Sequence, residues 1–511
     1  TPTSTPAEQP QYGGTLRLHQ YRDIVSYDIS RVSSIYDGPM VLDKLFTNLL
    51  WWNPGPLQLE CDACTSWEVS QDGTVFTFNL VRGIQFHDGG ELTARDVAYS
   101  LNKHMGRVDG VSSPRVGALD SYVDRIETPD DYTVVLRLHS PSPVAAWFVA
   151  IPYAGIFPEG TTSDELAEKP MGSGPFILDS YTRGSSMLVL KNPGYFKEGL
   201  PYVDAAEHII IKDSAAMQSA FLIGRVDVIR TTFTPDFLPL MRKKVEEGKV
   251  VIQYVPGSQY GLLFGAADSP FLDRRVRQAV FLAYDRAAEN QMLYDGEGQL
   301  ALFLPAQETV PWGRPMSELA QYPGLRQPKD QDITEAKRLI SEAGYPDGFD
   351  VTMTVRNKSP VPHWSEVVVA QLATLGINAR MELTEDAFLY PILESGDFAI
   401  APFTAGEVVP DPDMLIGKYA EGHPRNYTYL RGQGDPELET LLEQVSREMD
   451  PVRRQQLVRE AEDRLLWELP VIPTVMPLMH MSHWAYVRNW NPTYTGRQSE
   501  YRHETTWLVP R

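Results

Sequence analysis

Apolar and polar side chains alternate in two short stretches of the chain, at residues 66–69 and 75–80. A period of two places every second side chain on one face of a strand, and the intervening Gln71-Asp72-Gly73 is typical of a turn. The pattern therefore predicts a β-hairpin with one buried face.

A capped helix is predicted to follow this hairpin. After a turn at residues 87–90, Thr93 is followed three positions later by the carboxylate of Asp96, which is the spacing of a capping box. Val97 and Leu101 then lie one helical turn apart and mark a buried face. The predicted unit is hairpin, turn and helix.

Strand and helix signals alternate through much of the remaining sequence. Residues 208–211 and 227–229 have the character of strands, and Ser214 and Gly224 are placed to begin and end a helix between them. The same order recurs from residue 350 to residue 403, with strands at 351–355, 377–383 and 398–403 and helices at 364–375 and around 388–393. Asp450-Pro451 is a strong helix start, and an extended segment is predicted at 470–479. This alternation predicts an α/β protein.

Composition limits the architecture and the partners. With 511 residues, 42% of them hydrophobic, the chain exceeds what one core normally holds, so at least two lobes are expected. The formal net charge of −21 repels nucleic acid and anionic membrane surfaces, and both are rejected as partners. No run of 18 apolar residues occurs, so no transmembrane segment is expected. The first residues form neither a charged n-region nor an apolar h-region, so they are not expected to be a signal peptide. Residues 1–11, TPTSTPAEQPQ, are predicted to be a disordered tether.

The sequence of residues 66–101, SWEVSQDGTVFTFNLVRGIQFHDGGELTARDVAYSL, closely resembles the corresponding sequences of one family. It is similar to the dipeptide, oligopeptide and nickel class of solute-binding proteins that serve ABC importers, the extracellular solute-binding protein family 5. Family-like phrases recur in family order at residues 13–16, 129–135, 172–176, 192–196, 270–286 and 342–349. The resemblance therefore spans nearly the whole chain.

The resemblance implies an α/β, two-lobe periplasmic-binding-protein-like fold of class II type, with an extra subdomain inserted in the first lobe. Two lobes joined by a hinge close over a ligand. The implied division is residues 1–11 as tether, 12–39, 164–256 and 480–511 as lobe I, 40–163 as the inserted subdomain and 257–479 as lobe II.

The implied function is an extracytoplasmic receptor that captures a small ligand and delivers it to an ABC permease. A periplasmic or extracellular location, tethering as a lipoprotein and a monomeric state are expected. No enzyme activity, cofactor or metal is predicted, since G-x-S-x-G, phosphate-loop and H-E-x-x-H motifs are absent. A hydrolase, or a sensing or interaction protein on the same scaffold, is the alternative from another class.

The segment at residues 401–415 bears on the ligand. In peptide-binding relatives an aspartate before an Asp-Pro pair neutralises the ligand's amine, and aligning Asp411-Pro412 places Val408 at that position. Glu407 is the adjacent candidate, although a shift of one residue on extended backbone reverses the side chain. An unpaired buried ammonium costs several kcal/mol, so an ordinary peptide is disfavoured. Nickel is disfavoured because Asp413 stands where nickel-binding relatives carry a histidine.

Other candidate ligand-binding residues follow from the resemblance. Arg356 matches an arginine that pairs with the ligand carboxylate in dipeptide-binding relatives, and a guanidinium offers a bidentate fork to such a group. Its alternative is a solvated residue at a strand end. The further candidates are Tyr260, Trp364, Ser33, Ser34 and Tyr36, of which the aromatic residues are alternatively core or surface. The predicted ligand is a non-standard organic anion or modified peptide, ahead of an oligosaccharide or an ordinary oligopeptide.

The two cysteines of the chain form a C-x-x-C at Cys61 and Cys64. A zinc site would need further ligands, and a redox motif would need a thioredoxin-like context. A structural disulfide is favoured over two free thiols and over metal or redox chemistry.

Overall fold

The computed structural model describes residues 9–34, 38–53, 58–231, 237–358, 360–407, 409–490, 492 and 502–510. The candidates Tyr36 and Val408, and residues 1–8 of the predicted tether, lie outside the described residues. The Cα positions form two compact units. Unit 1 runs to Val255 and resumes at Met479, and unit 2 runs from Pro256 to Leu478, so the chain passes between the units twice.

The β-strands are short and fall mostly in unit 1. In chain order they are β1 Thr15–Gln20, β2 Leu50–Asn53, β3 Gln58–Cys61, β4 Cys64–Val69, β5 Val75–Leu80, β6 Val123–Asp130, β7 Thr133–Leu138, β8 Phe176–Thr182, β9 Ser186–Lys191, β10 Ala205–Ile210, β11 Val228–Thr231, β12 Val250–Pro256, β13 Gln259–Phe264, β14 Phe349–Arg356, β15 Ile377–Thr384, β16 Ile400–Ala405, β17 Val471–Pro473, β18 Leu478–Trp484, β19 Val487–Arg488 and β20 Trp507–Leu508.

The longer α-helices belong mostly to unit 2. In chain order the helices are α1 Gly38–Val41, α2 Ala94–His104, α3 Ala145–Phe148, α4 Ser163–Glu168, α5 Ser214–Leu222, α6 Phe237–Glu246, α7 Arg274–Ala283, α8 Arg286–Tyr294, α9 Met316–Leu319, α10 Asp330–Glu342, α11 Val361–Ala373, α12 Asp386–Ser395, α13 Pro412–Leu415, α14 Pro436–Arg447 and α15 Pro451–Glu468. Short 3₁₀ turns occur at Leu42–Lys44, Gly117–Ser121, Pro270–Leu272 and Gly417–Tyr419.

A mixed seven-stranded sheet forms the centre of unit 1, in the order β12-β18-β11-β1-β10-β9-β8. Strand β1 pairs in parallel with β10 and β11, whereas β9 is antiparallel to β10. The β10-α5-β11 segment is the predicted βαβ unit, although Asp213 rather than Ser214 caps its helix. The Asp213 carboxylate accepts a hydrogen bond from the backbone N–H of Ala216 at 2.7 Å, which the Ser214 assignment missed because both residue types are good caps.

The predicted hairpin lies in a separate antiparallel sheet of order β4-β5-β7-β6. Its apolar face is buried as expected, because Phe76 and Phe78 are at most 2% exposed and both stack on Trp67. The predicted capping box is also present: the backbone N–H of Thr93 donates to Asp96 Oδ2 at 2.7 Å. The local pattern therefore dictates both the hairpin and the helix that follows it.

Cys61 and Cys64 are joined by a disulfide between the end of β3 and the start of β4. The two-residue loop between them directs Asp62 into the interior, where its carboxylate is fully buried. Arg502 donates to Asp62 at 2.7 Å and Lys197 lies 2.9 Å from it. Burial alone would raise the pKa of Asp62, but the two cations lower it to about 2.

Glu504 completes this buried ion cluster, which we define as Asp62, Lys197, Arg502 and Glu504. Glu504 lies 2.9 Å from the ammonium of Lys197 and accepts a hydrogen bond from the Tyr195 hydroxyl at 2.5 Å. The cluster ties the β3–β4 loop, the segment after β9 and the C-terminal segment to one another.

Unit 2 is built on a five-stranded sheet in the order β15-β14-β16-β13-β17. Strands β14 and β15 are parallel and connected by α11, so they form the second predicted βαβ unit. Strand β13 lies between β16 and β17 and is antiparallel to both. The predicted helix start at Asp450-Pro451 is confirmed, because the Asp450 carboxylate caps α15 by accepting from the N–H of Arg453.

Arg502→Met is expected to lower the free energy of unfolding of unit 1 by about 3–5 kcal/mol, because it leaves buried carboxylates without their main cation. Urea unfolding followed by circular dichroism measures the change. Arg125→Met is the matched control, since Arg125 forms ion pairs with Asp124 and Glu127 at the surface, and it should leave the unfolding midpoint unchanged. An equal effect of the two substitutions would contradict a structural role for the cluster.

Buried neutral histidines make the stability depend on pH. Burial lowers the pKa of His87 and of His104 to about 4, and the His104 ring lies 3.0 Å from the Gly155 carbonyl oxygen through Nε2. Between about pH 6.5 and about pH 4 the unfolded chain binds protons that the folded chain does not, so stability falls on acidification by roughly 3 kcal/mol for each histidine.

His104→Gln, which retains a donor for Gly155 and does not titrate, is therefore expected to flatten the pH dependence of the thermal unfolding midpoint between about pH 7 and about pH 5. An unchanged slope would show that His104 is not buried in its neutral form.

Candidate functional site

An open pocket lies on the sheet of unit 2 and encloses about 540 Å³ of space, including space open to solvent. Three adjacent strands and one loop supply its lining. The lining residues are Gln259, Tyr260, Gly261 and Leu263 from β13, Phe403 from β16, Val471 and Pro473 from β17, and Lys418, Tyr419, Arg425, Tyr427 and Thr428 from the loop after α13. The lining combines apolar and aromatic side chains with a few polar and charged groups, which is the usual composition of a small-molecule site.

The absence of a side chain at Gly261 creates the floor of the pocket. Gly261 is in register with Phe403 on one side and with Pro473 on the other. A Cβ at Gly261 would lie 2.6 Å from Val471 Cγ1, closer than real carbon contacts. A larger residue here would therefore push β17 away from β13.

Aromatic rings form much of the wall. The Phe403 and Tyr427 rings meet edge to face with centroids 5.6 Å apart. Tyr260 contacts Trp364 with ring centroids 4.9 Å apart, and burial raises the pKa of the Tyr260 hydroxyl to about 12. The wall is thus neutral, apolar and suited to contact with a flat part of a ligand.

Two cationic side chains and a buried carboxylate meet at the edge of the pocket. Arg425 Nη1 donates to Glu407 Oε2 at 2.7 Å, and Lys418 Nζ lies 3.5 Å from Glu407 Oε1. The side chains of Glu407 and Lys418 are 4% and 9% exposed, whereas that of Arg425 is 42% exposed. We call these three residues the Glu407 triad.

The environment of each cation shifts its pKa differently. Burial lowers the pKa of Lys418, and Glu407 offsets only part of that effect. Burial also disfavours the charged form of Arg425, but the neighbouring Glu407 carboxylate outweighs it and raises the pKa of Arg425. Both partners of Glu407 are stabilised in their charged forms by the same carboxylate.

Hydrogen bonds hold the loop that carries the two cations. Asn426 donates through Nδ2 to the carbonyl oxygens of Tyr419 and Ala420 and accepts from the Thr428 hydroxyl. The loop is therefore fixed at both ends of the segment between Lys418 and Thr428.

Asp411, the first residue of the Asp-Pro pair before this loop, forms a buried ion pair. Both carboxylate oxygens of Asp411 accept hydrogen bonds from Arg454 of α15 at 2.7 Å, and both side chains are buried. The ion pair of Asp411 and Arg454 fixes the start of α13. Asp411 is not among the residues that line the pocket.

The predicted site residues are brought together only in part. Tyr260 lines the pocket, Trp364 packs behind it in the core, and Glu407 lies at the rear of the charged edge. Arg356 is outside the lining: its Nε and Nη2 donate to the two carboxylate oxygens of Asp386 at 2.5 and 2.6 Å. Its assignment to a ligand carboxylate stays a prediction.

The serine candidates belong to unit 1. The Ser33 carbonyl oxygen accepts a hydrogen bond from Arg115 Nε at 2.9 Å, and Ser34 is half-buried. Their contact with a ligand also stays a prediction.

The sequence interpretation missed Phe403, Lys418, Arg425 and Tyr427. A signal was present in residues 417–430, GKYAEGHPRNYTYL, where two cations alternate with aromatic residues in a loop containing Gly and Pro. Loops positioned by a rigid scaffold often carry binding residues. What the sequence did not provide was the contact of this loop with Glu407.

Metal-binding clusters and membrane-spanning helices are both absent from the described residues. They contain no group of three His, Cys, Asp or Glu side chains placed to hold a metal ion. No helix in the described part of the chain combines the length and apolar character needed to cross a bilayer.

Comparison with known proteins identifies a family. The family model "Bacterial extracellular solute-binding proteins, family 5 Middle" matches residues 58–426, more than half of the chain. Heme-binding protein A of Haemophilus influenzae is 23% identical over 457 residues, which cover 84% of this chain and 81% of that protein.

Solved structures share the fold. The periplasmic binding protein DppA of Helicobacter pylori, in complex with the peptide STSA, has a TM-score of 0.77 and 22% identity, with 98% of each chain covered. The binding protein AgaA of A. tumefaciens R10, in complex with agropinic acid, has a TM-score of 0.75 and 24% identity and covers 98% of this chain and 99% of its own. The prediction of an α/β two-lobe fold is confirmed. The matched family and these similar proteins are binding proteins.

Gly261→Ala is expected to lower the stability of unit 2 by about 1–3 kcal/mol, because the added methyl group overlaps Val471 and forces β17 to shift. Chemical unfolding measures the loss. Gly417→Ala is the matched control, since a Cβ at Gly417 would meet no atom within 4 Å. If both substitutions are equally tolerated, the close strand contact under the pocket is absent.

Proposed function

The chain belongs to the bacterial extracellular solute-binding proteins of family 5, and from this premise we propose that it captures a small organic anion and delivers it to an ABC permease. Members of this family are extracytoplasmic receptors of ABC importers. The proposed finer assignment is the ligand: a non-standard organic anion or a modified peptide.

One observation carries the choice of an anion. The described residues that line the pocket of unit 2 include the cationic side chains of Lys418 and Arg425 and no acidic side chain. Arginine forms strong charge-assisted hydrogen bonds to carboxylates, and these are strengthened where water is partly excluded. A carboxylate beside Arg425 would gain such a bond, whereas an ammonium group there would be repelled.

The aromatic wall supports a second property of the ligand. Phe403, Tyr427 and Tyr260 present apolar surface beside the cations, so a ligand with a flat or otherwise apolar part next to its charge would fit both features. The complex of the similar protein AgaA with agropinic acid, and that of DppA with the peptide STSA, are consistent with organic acids and peptide-like solutes. An oligosaccharide and an ordinary oligopeptide are the lower-ranked alternatives.

Arg356 is proposed as a second anion contact that requires an exchange of partners. Its guanidinium is bound to Asp386, an exposed residue, and the Arg356 guanidinium carbon lies 5.9 Å from the centre of the Tyr390 ring. Exposed ion pairs contribute at most about 1 kcal/mol, so a ligand carboxylate could replace Asp386 at small cost.

Closure of the predicted lobes, tethering as a lipoprotein and a monomeric state are part of the same proposal.

A thermal-shift screen tests the proposed function. Peptides, oligosaccharides, opine-like and aromatic carboxylates and chelated nickel are each added to the full chain. A ligand that binds only the folded state stabilises it by about 2.7 kcal/mol at a hundredfold excess over Kd. We expect the unfolding midpoint to rise with a carboxylate class. A rise with nickel or an oligosaccharide alone would contradict the proposed ligand, and no rise with any class would contradict the receptor assignment.

Arg356→Ala is then expected to weaken binding of the identified carboxylate by about tenfold or more, since a buried charged hydrogen bond contributes roughly 1.5–3 kcal/mol. Asp386→Asn is the paired control, because it removes the competing carboxylate and should strengthen binding. Affinity within about a factor of two of the native value in Arg356→Ala would exclude Arg356 from the site.

A further inference from the structure

Glu407 is a buried carboxylate at the edge of a ligand pocket, and this arrangement by itself would attract a cation. An isolated buried carboxylate is costly, so it is normally paired or binds a positively charged group. The residue is 5% exposed and both of its oxygens face cations of the same loop. Its charge is therefore already compensated before any ligand arrives.

The compensation exceeds the charge of Glu407. Lys418 and Arg425 bring two positive charges against one negative charge, so the triad has one positive charge in excess. Lys418 lines the pocket but is largely buried, with 9% of its side chain exposed. Arg425 is the partly exposed member and uses Nη1 for Glu407, so the excess charge is presented to the pocket on its guanidinium.

The other residues that line the pocket also favour an anion over a cation. The aromatic residues Phe403 and Tyr427, whose rings contact each other, line the same pocket as Arg425, and no acidic residue lies among the described lining residues. A group that approaches Arg425 meets a cation in a pocket with partly aromatic walls, where charge interactions are stronger than in water. An ammonium group would lose its hydration there without gaining a counter-ion.

We propose that Lys418 and Arg425 convert Glu407 from an ammonium-binding carboxylate into the anchor of an anion site, and thereby select solutes that have a carboxylate and no free ammonium group at this end. The inference rests on the proposed function and deepens it. The solute class is a carboxylate, or a similar oxyanion, borne next to an aromatic or other flat apolar group. A neighbouring amine in such a solute would be absent, acylated or otherwise held away from the pocket.

Substitution of Lys418, of Arg425 or of both changes the net charge of the triad from +1 to 0 or to −1. Arg425→Gln and Lys418→Met each remove one cation and leave the triad neutral, and the double variant leaves Glu407 alone. Arg425→Gln changes a partly exposed residue, and methionine replaces the buried lysine stem with an apolar chain of similar shape. Circular dichroism and thermal unfolding confirm that each full-length variant is folded.

The probes are 3-phenylpropionate, 3-phenylpropylamine and 3-phenylpropanol, which share a ring and differ in charge. Isothermal titration calorimetry with the native chain should give a carboxylate affinity at least about tenfold above that of the amine or the alcohol. Each single variant should lose about tenfold in carboxylate affinity. The double variant should prefer the amine, because Glu407 is then free to accept an ammonium group.

Arg380→Gln is the matched control, since it removes an exposed cation from β15 in the same unit and outside the pocket, and it should leave all three affinities unchanged. Equal affinity of the native chain for the alcohol and the carboxylate would overturn the charge rule and leave the receptor function standing. Carboxylate affinity that survives in the double variant would also overturn it. An absence of binding by any probe would overturn the inference, while the separate screen of solute classes decides the receptor function.

Discussion

Arg502 meets Asp62 inside unit 1 across 440 residues of sequence, and the architecture of this unit depends on that contact. Taking an arginine and a carboxylate out of water is expensive, and their mutual attraction balances the penalty only if further hydrogen bonds complete the arrangement. Lys197, Glu504 and the backbone N–H of Asn48 supply these contacts. The cluster therefore selects one placement of the C-terminal segment against the β3–β4 loop.

Features that depend on neighbouring residues could be predicted from the sequence, whereas features that depend on contacts between distant residues could not. The Trp67–Phe78 hairpin and the cap at Thr93 depend on neighbours within a few residues, and alternation and spacing were sufficient to find them. The α/β alternation of residues 350–403 was equally visible. The cap of α5 was assigned one residue late because Asp213 and Ser214 are both suitable. Asp62 had no such signal, since its partners lie 135 and 440 residues away.

The candidate site shows the same division. Tyr260 followed from family resemblance, but the partner of Arg356, Asp386, stands 30 residues away on another element. The argument from strand alternation turned Glu407 away from the ligand. In the structure Glu407 lies beyond the end of β16 at Ala405, where alternation no longer applies, and it meets cations 11 and 18 residues later. A loop without periodicity gave no means of predicting that meeting.

The discontinuity of unit 1 has a consequence for how the chain is made. A ribosome synthesises the chain from its N-terminus, and domains fold as they become complete. Unit 2 is one continuous stretch, Pro256–Leu478, whereas unit 1 requires residues from Met479 onward. Asp62 and Lys197 are thus synthesised hundreds of residues before Arg502. Until Arg502 has been synthesised, the Asp62 carboxylate lacks one of the two cations that neutralise it in the folded unit, so the ion cluster of unit 1 is completed only after all of unit 2 has been made.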